Sequence, residues 1–358
     1  MSAAPDSASH ALVTGGAGFI GTNLSRRLLE QGHRVVILDD LSRDGVRRNA
    51  DWLTAEFGDA VDLRVRDIRD REAVRQAVRY ADQVFHLAAQ VAVTTSLDDP
   101  WTDFEINAGG TLGLLQALRE RPDPPPLVFA STNKVYGALT DHEMIARGDR
   151  WEPADRDLRE RGVSEQQPLD FHSPYGCSKG AADQYVLDHA RTFGLPACVF
   201  RMSCIYGPRQ FGTEDQGWLA HFLLRSRQGA DLTIYGDGRQ VRDALFVEDL
   251  VDAFLLARDR MSALQGQAFN LGGGPSRTIS LLELLDRIEA LHGRRPEVRR
   301  ADWRPGDQRW YVSDTTRFAA LTGWRPRTGL DEGLRRLDAW LSILTPARAA
   351  AGLAGSAT

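Results

Sequence analysis

The chain has 358 residues, 42% of them hydrophobic and 26% charged, and a net charge of -5 at neutral pH. That length can bury a large core, as one large domain or two intimate ones. The acidic balance excludes an electrostatic case for nucleic acid or an anionic membrane, and no apolar run approaches the roughly 20 residues of a spanning helix. In chain order, Met1 to Ser9 lacks the charged start and apolar centre of a signal peptide and reads as a disordered lead-in. Short β-rich runs then alternate with longer amphipathic segments, which predicts an α/β fold with a Rossmann-type doubly wound parallel sheet.

The first strand, Ala11 to Thr14, runs into Gly15-Gly16-Ala17-Gly18-Phe19-Ile20-Gly21 and a helix from Phe19 to Gln31. Glycines in that context allow a tight turn, close approach of backbone to a pyrophosphate, and a helix N-terminus facing the phosphates, although the Gly15-x-x-Gly18-x-x-Gly21 spacing departs from the usual G-x-G-x-x-G. The second strand, Arg34 to Leu38, leads to Asp39, where a carboxylate can accept from ribose hydroxyls and repel a 2′-phosphate. This favours NAD over NADP. Arg43 and Arg47 nearby read as a solvated face. After the third strand, Asp62 to Arg66, Asp67 and Ile68 are placed at the adenine edge, with a surface aspartate as the equal alternative. A helix from Arg71 to Arg79 precedes the fourth strand, Gln83 to Leu87, beyond which Ala88 and Ala89 let the cofactor backbone come close. His86 is read as a packed, satisfied histidine, and the eight histidines show no ligand spacing for a metal.

A helix from Asp103 to Arg119 is stopped by Pro122 and Pro124 to Pro126 before the fifth strand, Leu127 to Ser131. The charged, turn-rich stretch from Ala138 to Asp170 is read as an insertion over the site. On the helix from Tyr175 to Phe193, Tyr175 and Lys179 share one face, and a neighbouring ammonium favours the phenolate of a tyrosine whose reference pKa is about 10. Such a pair can take a proton from an alcohol while hydride leaves its carbon. The sixth strand, Ala197 to Met202, is followed by Ser203 and Cys204, expected near the nicotinamide. From Gly207 to Leu344 the less regular pattern predicts a smaller α/β lobe for substrate, with parts of residues 240–275 rejoining the Rossmann domain of residues 10–206. Residues from Thr345 read as a disordered tail. Cys177, Cys198 and Cys204 are an odd set, which predicts a reduced, cytoplasmic protein without disulfides.

These residues resemble the extended short-chain dehydrogenase/reductases, the NAD-dependent nucleotide-sugar epimerases and dehydratases, from about His10 to Leu341. In Ser131-Thr132-Asn133-Lys134-Val135-Tyr136-Gly137 the resemblance makes Thr132 the third catalytic group with Tyr175 and Lys179, and sets Ser131 beside the cofactor. It also implies that Lys179 binds the nicotinamide ribose. Family dehydratases carry Asp-Glu after this threonine, an acid and a base for expelling water. Here Asn133 and Lys134 stand there, which disfavours elimination. The runs Leu169 to Tyr185 and Tyr206 to Phe211, and Asp215-Gln216-Gly217-Trp218, are similar to the CDP-paratose 2-epimerase (CDP-tyvelose epimerase) branch, which implies inversion at C2 through a 2-keto sugar. Arg242 and Arg304 match positions that bind the nucleotide diphosphate. Asn133, Ser203, Gln210 and Trp218 are further substrate candidates, Trp218 equally readable as core. The resemblance also implies a homodimer paired through the helices 103–119 and 175–193. A 4-epimerase of a UDP-, GDP- or ADP-sugar, a nucleotide-sugar dehydrogenase or decarboxylase, and a non-catalytic NAD-binding regulator remain as alternatives.

Overall fold

The computed structural model describes residues 9–304 and 306–344. Of the expected lead-in only Ser9 is described, and the expected tail from Thr345 lies outside the described residues. Strand and helix alternate through β1 (His10–Thr14), α1 (Phe19–Glu30), β2 (Arg34–Asp39), α2 (Val46–Phe57), β3 (Val61–Val65), α3 (Arg71–Val78) and β4 (Gln83–His86). Short helices α4 (Val93–Asp98) and α5 (Pro100–Phe104) pass through a π turn, Glu105–Gly110, into α6 (Thr111–Arg119) and then β5 (Leu127–Thr132). A hairpin, β6 (Met144–Arg147) and β7 (Arg150–Pro153), and a short α7 (Arg156–Arg161) precede α8 (Ser173–Phe193), β8 (Ala197–Met202) and β9 (Cys204–Tyr206). The remainder is α9 (Trp218–Gln228), β10 (Leu232–Tyr235), β11 (Val241–Phe246), α10 (Val247–Asp259), α11 (Met261–Leu264), β12 (Ala268–Leu271), β13 (Thr278–Ser280), α12 (Leu281–His292), β14 (Val298–Ala301), β15 (Trp310–Tyr311), α13 (Thr316–Thr322) and α14 (Leu330–Leu344).

Seven parallel strands form the main sheet in the order β12-β8-β5-β4-β1-β2-β3. All but the edge strand β3 are largely buried and mainly apolar, whereas β3 carries Asp62 and Arg64 and has no buried residue. Ala11 and Val13 pack on one side with Leu24 and Leu28 of α1 and Leu250 and Phe254 of α10, while Leu12 packs on the other with Val74, Leu114 and Val186 of α3, α6 and α8. The strand order reverses between β1 and β4, and ligands of such sheets bind at the carboxyl ends beside that point. Register lines up those ends: Thr14 pairs with both Leu38 and His86, and Thr132 with Met202. Gly15, Asp39, Leu87, Asn133 and Ser203 therefore all emerge along one edge.

The last strand, β12, and helix α10 both come from the 240–275 stretch and complete the main sheet and its cover. The second lobe carries its own core, including Phe222, Leu223, Ile234, Leu284, Ile288 and Leu337, beneath α9, α12 and α14. One expectation is corrected. Residues 138–170 do not cover the site, for none of them lines the main cavity. Their apolar side chains, Leu139 and Val163 with Met144 and Leu158, pack instead on Val241, Trp310, Tyr311 and Val312, and Trp151 N–H donates to the Arg239 carbonyl. Burial of that apolar surface draws the insertion onto the second lobe. The helix expected from Asp103 is also interrupted by the π turn, which lets Asn107 bond Asp103, Ser178 and both backbone groups of Gln90.

Candidate active site

The glycine turn is held by its own backbone. Gly15 N–H donates to Leu38 O (2.8 Å) and Gly18 N–H to Gly15 O (3.1 Å). Gly15 sits at φ 67°, and a side chain there would meet Ala88 N at 2.7 Å; one at Gly21 would meet Gly15 O at 2.2 Å. Only glycine satisfies both conditions. Gly18 caps α1 without a side-chain bond, leaving the helix N-terminus to face a ligand. Asp39 accepts from Ala17 N (3.1 Å) and Leu41 N (2.9 Å), so it braces the turn while facing the cavity. Burial pushes its carboxyl above the ordinary range, against the pull of those two amides.

At the reacting end, α8 starts at Ser173 in a left-handed conformation (φ 64°), and its hydroxyl accepts from Gly176 N (3.2 Å), fixing the turn that carries Tyr175. Thr132 ends β5. Its hydroxyl oxygen accepts from Lys134 N (3.2 Å), which leaves its proton free to donate. Lys179 Nζ donates to Ala130 O (2.6 Å) and lies 4.3 Å from the Phe129 ring centroid. The electrostatics differ from the expectation that Lys179 holds the phenol down. Burial pushes Tyr175 up to about 12, with a hydrogen bond from Thr132 working the other way. Burial likewise pushes the Lys179 ammonium down to about 7, opposed by Asp183 and Asp103. For each group desolvation is the largest influence.

Beneath the helix, Asp183 accepts two bonds from Arg201, through Nε and Nη2 at 2.9 Å each, and one from Ser131 Oγ (2.9 Å). This ion pair is buried and ties α8 to β5 and β8. His86 is buried between Thr14 (2.6 Å) and Thr111 (3.0 Å), and burial pushes it down to about 3, so it is neutral and structural.

A cavity of about 540 Å³ gathers these groups. Its wall includes Gly15, Gly18, Phe19, Ile20, Gly21, Asp39, Asp67, Ile68, Leu87, Ala88 and Ala89. Ser131, Thr132, Asn133, Tyr175, Lys179, Ser203, Gln210, Trp218 and Arg242 line it too. Arg304 alone of the expected residues is not on the wall. Its guanidinium stacks on Tyr235 (3.8 Å to the centroid), donates to Glu214 O (3.0 Å) and pairs with Asp215 (3.4 Å), itself a wall residue. Asp67 is paired with Arg69 (2.7 Å) as well as lining the cavity. Sequence reasoning missed Gln308. This buried amide donates to Gly137 O and accepts from Asn133 Nδ2 (3.1 Å), leaving Asn133 Oδ1 for the cavity. It lies 175 residues from Asn133, so no local pattern pointed to it. Arg43, read as surface, lines the cavity too.

A profile of the NAD dependent epimerase/dehydratase family matches residues 11–272. The chain belongs to that family. It is therefore an enzyme, and NAD is its cofactor, for which the glycine cradle, the free N-terminus of α1 and Asp39 provide fitting partners. The chain is 41% identical to CDP-paratose 2-epimerase of Salmonella typhi, over 93% of this chain and 99% of that one. It is 34% identical to UDP-glucose 4-epimerase of Mycolicibacterium smegmatis, over 91% and 96%. The solved structure of Thermus thermophilus UDP-glucose 4-epimerase in complex with NAD superposes with a TM-score of 0.77 at 34% identity, covering 93% of this chain and 98% of that one.

Proposed function

We propose that this enzyme inverts C2 of a CDP-linked sugar through a transient 2-keto sugar. The chain is an NAD-dependent nucleotide-sugar epimerase, and the observation that carries the reaction type is the turn after Thr132. Asn133 is an amide held by Gln308, with no acidic proton to give a leaving hydroxyl. An oxidation and a reduction at one carbinol, with no elimination, is what the remaining groups can perform.

In this reading Tyr175 takes the proton of the sugar hydroxyl and later returns it, while the Thr132 proton bonds the same oxygen. Lys179 holds the nicotinamide ribose, and Gly15, Gly18, Gly21 and Asp39 hold the pyrophosphate and adenosine ribose. The oxidised nicotinamide supplies, when bound, a hydride acceptor and a positive charge. Gln210 and Trp218 border the sugar, and Arg242 and Arg304 serve the diphosphate, Arg242 from the wall and Arg304 from the rim. The 41% identity to a CDP-paratose 2-epimerase supports both the base and the carbon. The test is NMR of CDP-paratose, CDP-tyvelose and UDP-glucose with the enzyme in deuterated water. We expect interconversion of the two CDP-sugars without deuterium at C2. Inversion at C4, or deuterium at the inverted carbon, would refute the assignment.

The working unit in this proposal is a homodimer paired through α5, α6 and α8. Trp101 (76% exposed), Phe104 (52%), Tyr185 (44%) and Phe193 (44%) are large apolar side chains left in solvent on these helices, which supports a covering second copy. Light scattering should then return twice the 39.7 kDa chain mass, and a monomer would exclude the pairing. The three thiols are unpaired, which supports a reducing, cytoplasmic setting. No helix among the described residues is long and apolar enough to cross a membrane.

A further inference from the structure

Lys134 and Lys179 are the only lysines in a chain with 44 basic residues; every other one is arginine. Of the described basic side chains five line the cavity, namely Arg43, Arg66, Lys134, Lys179 and Arg242. If the two kinds of cation were interchangeable, chance would put both lysines there only about once in a hundred such chains. A chain that uses arginine elsewhere thus uses lysine twice, both times on this wall. Lys179 belongs to the catalytic group. Lys134 has had no role beyond displacing an acid–base dyad.

Its surroundings define one. The Lys134 backbone binds the Thr132 hydroxyl (3.2 Å), and its Nζ donates to Gly306 O (3.1 Å). The charges that act on it are Arg242 and Asp307, but Asp307 is engaged by Arg242 Nη2 at 2.7 Å. Two cations of the wall therefore share one carboxylate, Asp307, next to the catalytic threonine, an arrangement that accepts an anion. In a nucleotide sugar reacting at C2, the anomeric carbon that bears the phosphate is bonded to the reacting carbon. Reaction at C4 would hold that phosphate across the ring. A cation two residues from Thr132 is placed for the first case.

We propose that Lys134 binds the sugar-bearing phosphate of the substrate, beside the reacting carbon, together with Arg242. This rests on the C2 reading above. Lysine suits the position because its charge is compact and adjustable, whereas a guanidinium beside Arg242 would be permanently charged. Burial, then Arg242, push Lys134 down to about 8, with Asp307 opposing. A bound phosphate favours the ammonium, so substrate binding near pH 8 takes up a fraction of a proton.

Calorimetry on the NAD-loaded enzyme in buffers of different ionisation enthalpy counts that proton. CDP-glucose and UDP-glucose are suitable probes, since their diphosphates are diesters that do not titrate near neutrality. Wild type should take up a proton fraction at pH 8 that vanishes in both Lys134→Met and Lys134→Arg. Lys134→Met should also bind about 10- to 100-fold more weakly, the usual scale for losing a charge-assisted bond. Lys134→Arg, whose cation does not titrate, should keep most of the affinity. A lysine that merely held Gly306 would produce no proton uptake in wild type. Uptake that is absent in wild type, or that persists in either variant, overturns the proposal. The C2 reading is judged separately by NMR, so either can fail alone.

Discussion

Tyr175→Phe lowers the rate of sugar interconversion by about 10² to 10⁴-fold, the span expected for removing a general acid–base group, while NAD stays bound. The ring lies in a buried seat and the Phe substitution deletes only the hydroxyl, so packing is preserved. Turnover is read by NMR of the sugar nucleotide, and cofactor retention by the NAD released on denaturation. A variant that keeps wild-type turnover removes Tyr175 from the reaction. A variant that loses NAD as well shows that the hydroxyl serves binding before chemistry. The prediction is demanding because burial pushes the phenol up to about 12 in the folded chain. Tyr175 becomes a base only through positive charge brought close to it; Arg43 acts in that direction, while Lys179 is itself pushed down to about 7.

Asp183→Asn should be the most damaging single change to stability, by about 3–5 kcal/mol, because it leaves the Arg201 guanidinium buried without its counter-charge. Asp183 has no exposed surface and Arg201 is 4% exposed, so water cannot replace the lost carboxylate. The effect extends to the site, since Ser131 also bonds Asp183 and Thr132 is the next residue. Denaturant unfolding measures the loss. The double variant Asp183→Leu with Arg201→Met should recover much of it, as apolar replacements of buried ion pairs commonly do. An Asp183→Asn protein as stable as wild type would mean that the pair is hydrated or relaxed in solution.

The cofactor half of the site was legible in the sequence because its determinants act over a few residues. Gly15, Gly18 and Gly21 follow a strand and open a helix, and Asp39 ends the next strand. Parallel register then brings them to one edge. The same holds for Tyr175 and Lys179, one helical turn apart, and for Thr132 at the end of β5. Helix α2 is legible in the same way, through the buried stripe of Val46, Asn49, Ala50 and Leu53. Helix α10 buries most of its residues, with Glu248, Asp252 and Asp259 left outside the buried face.

Motif spacing and strand ends are local properties, so the α/β class, the glycine turn with Asp39, the Tyr175–Lys179 pair and the lack of an Asp-Glu pair at Asn133 and Lys134 were legible in the chain alone. Tertiary structure decided the rest. It drew residues 138–170 onto the second lobe, set Gln308 behind Asn133, left Arg304 at the rim, and placed Lys134 beside Arg242 and Asp307. It also reversed the electrostatic expectation for Tyr175 and Lys179. Contacts across more than a hundred residues, and the cost of removing charge from water, depend on which surfaces end up packed together.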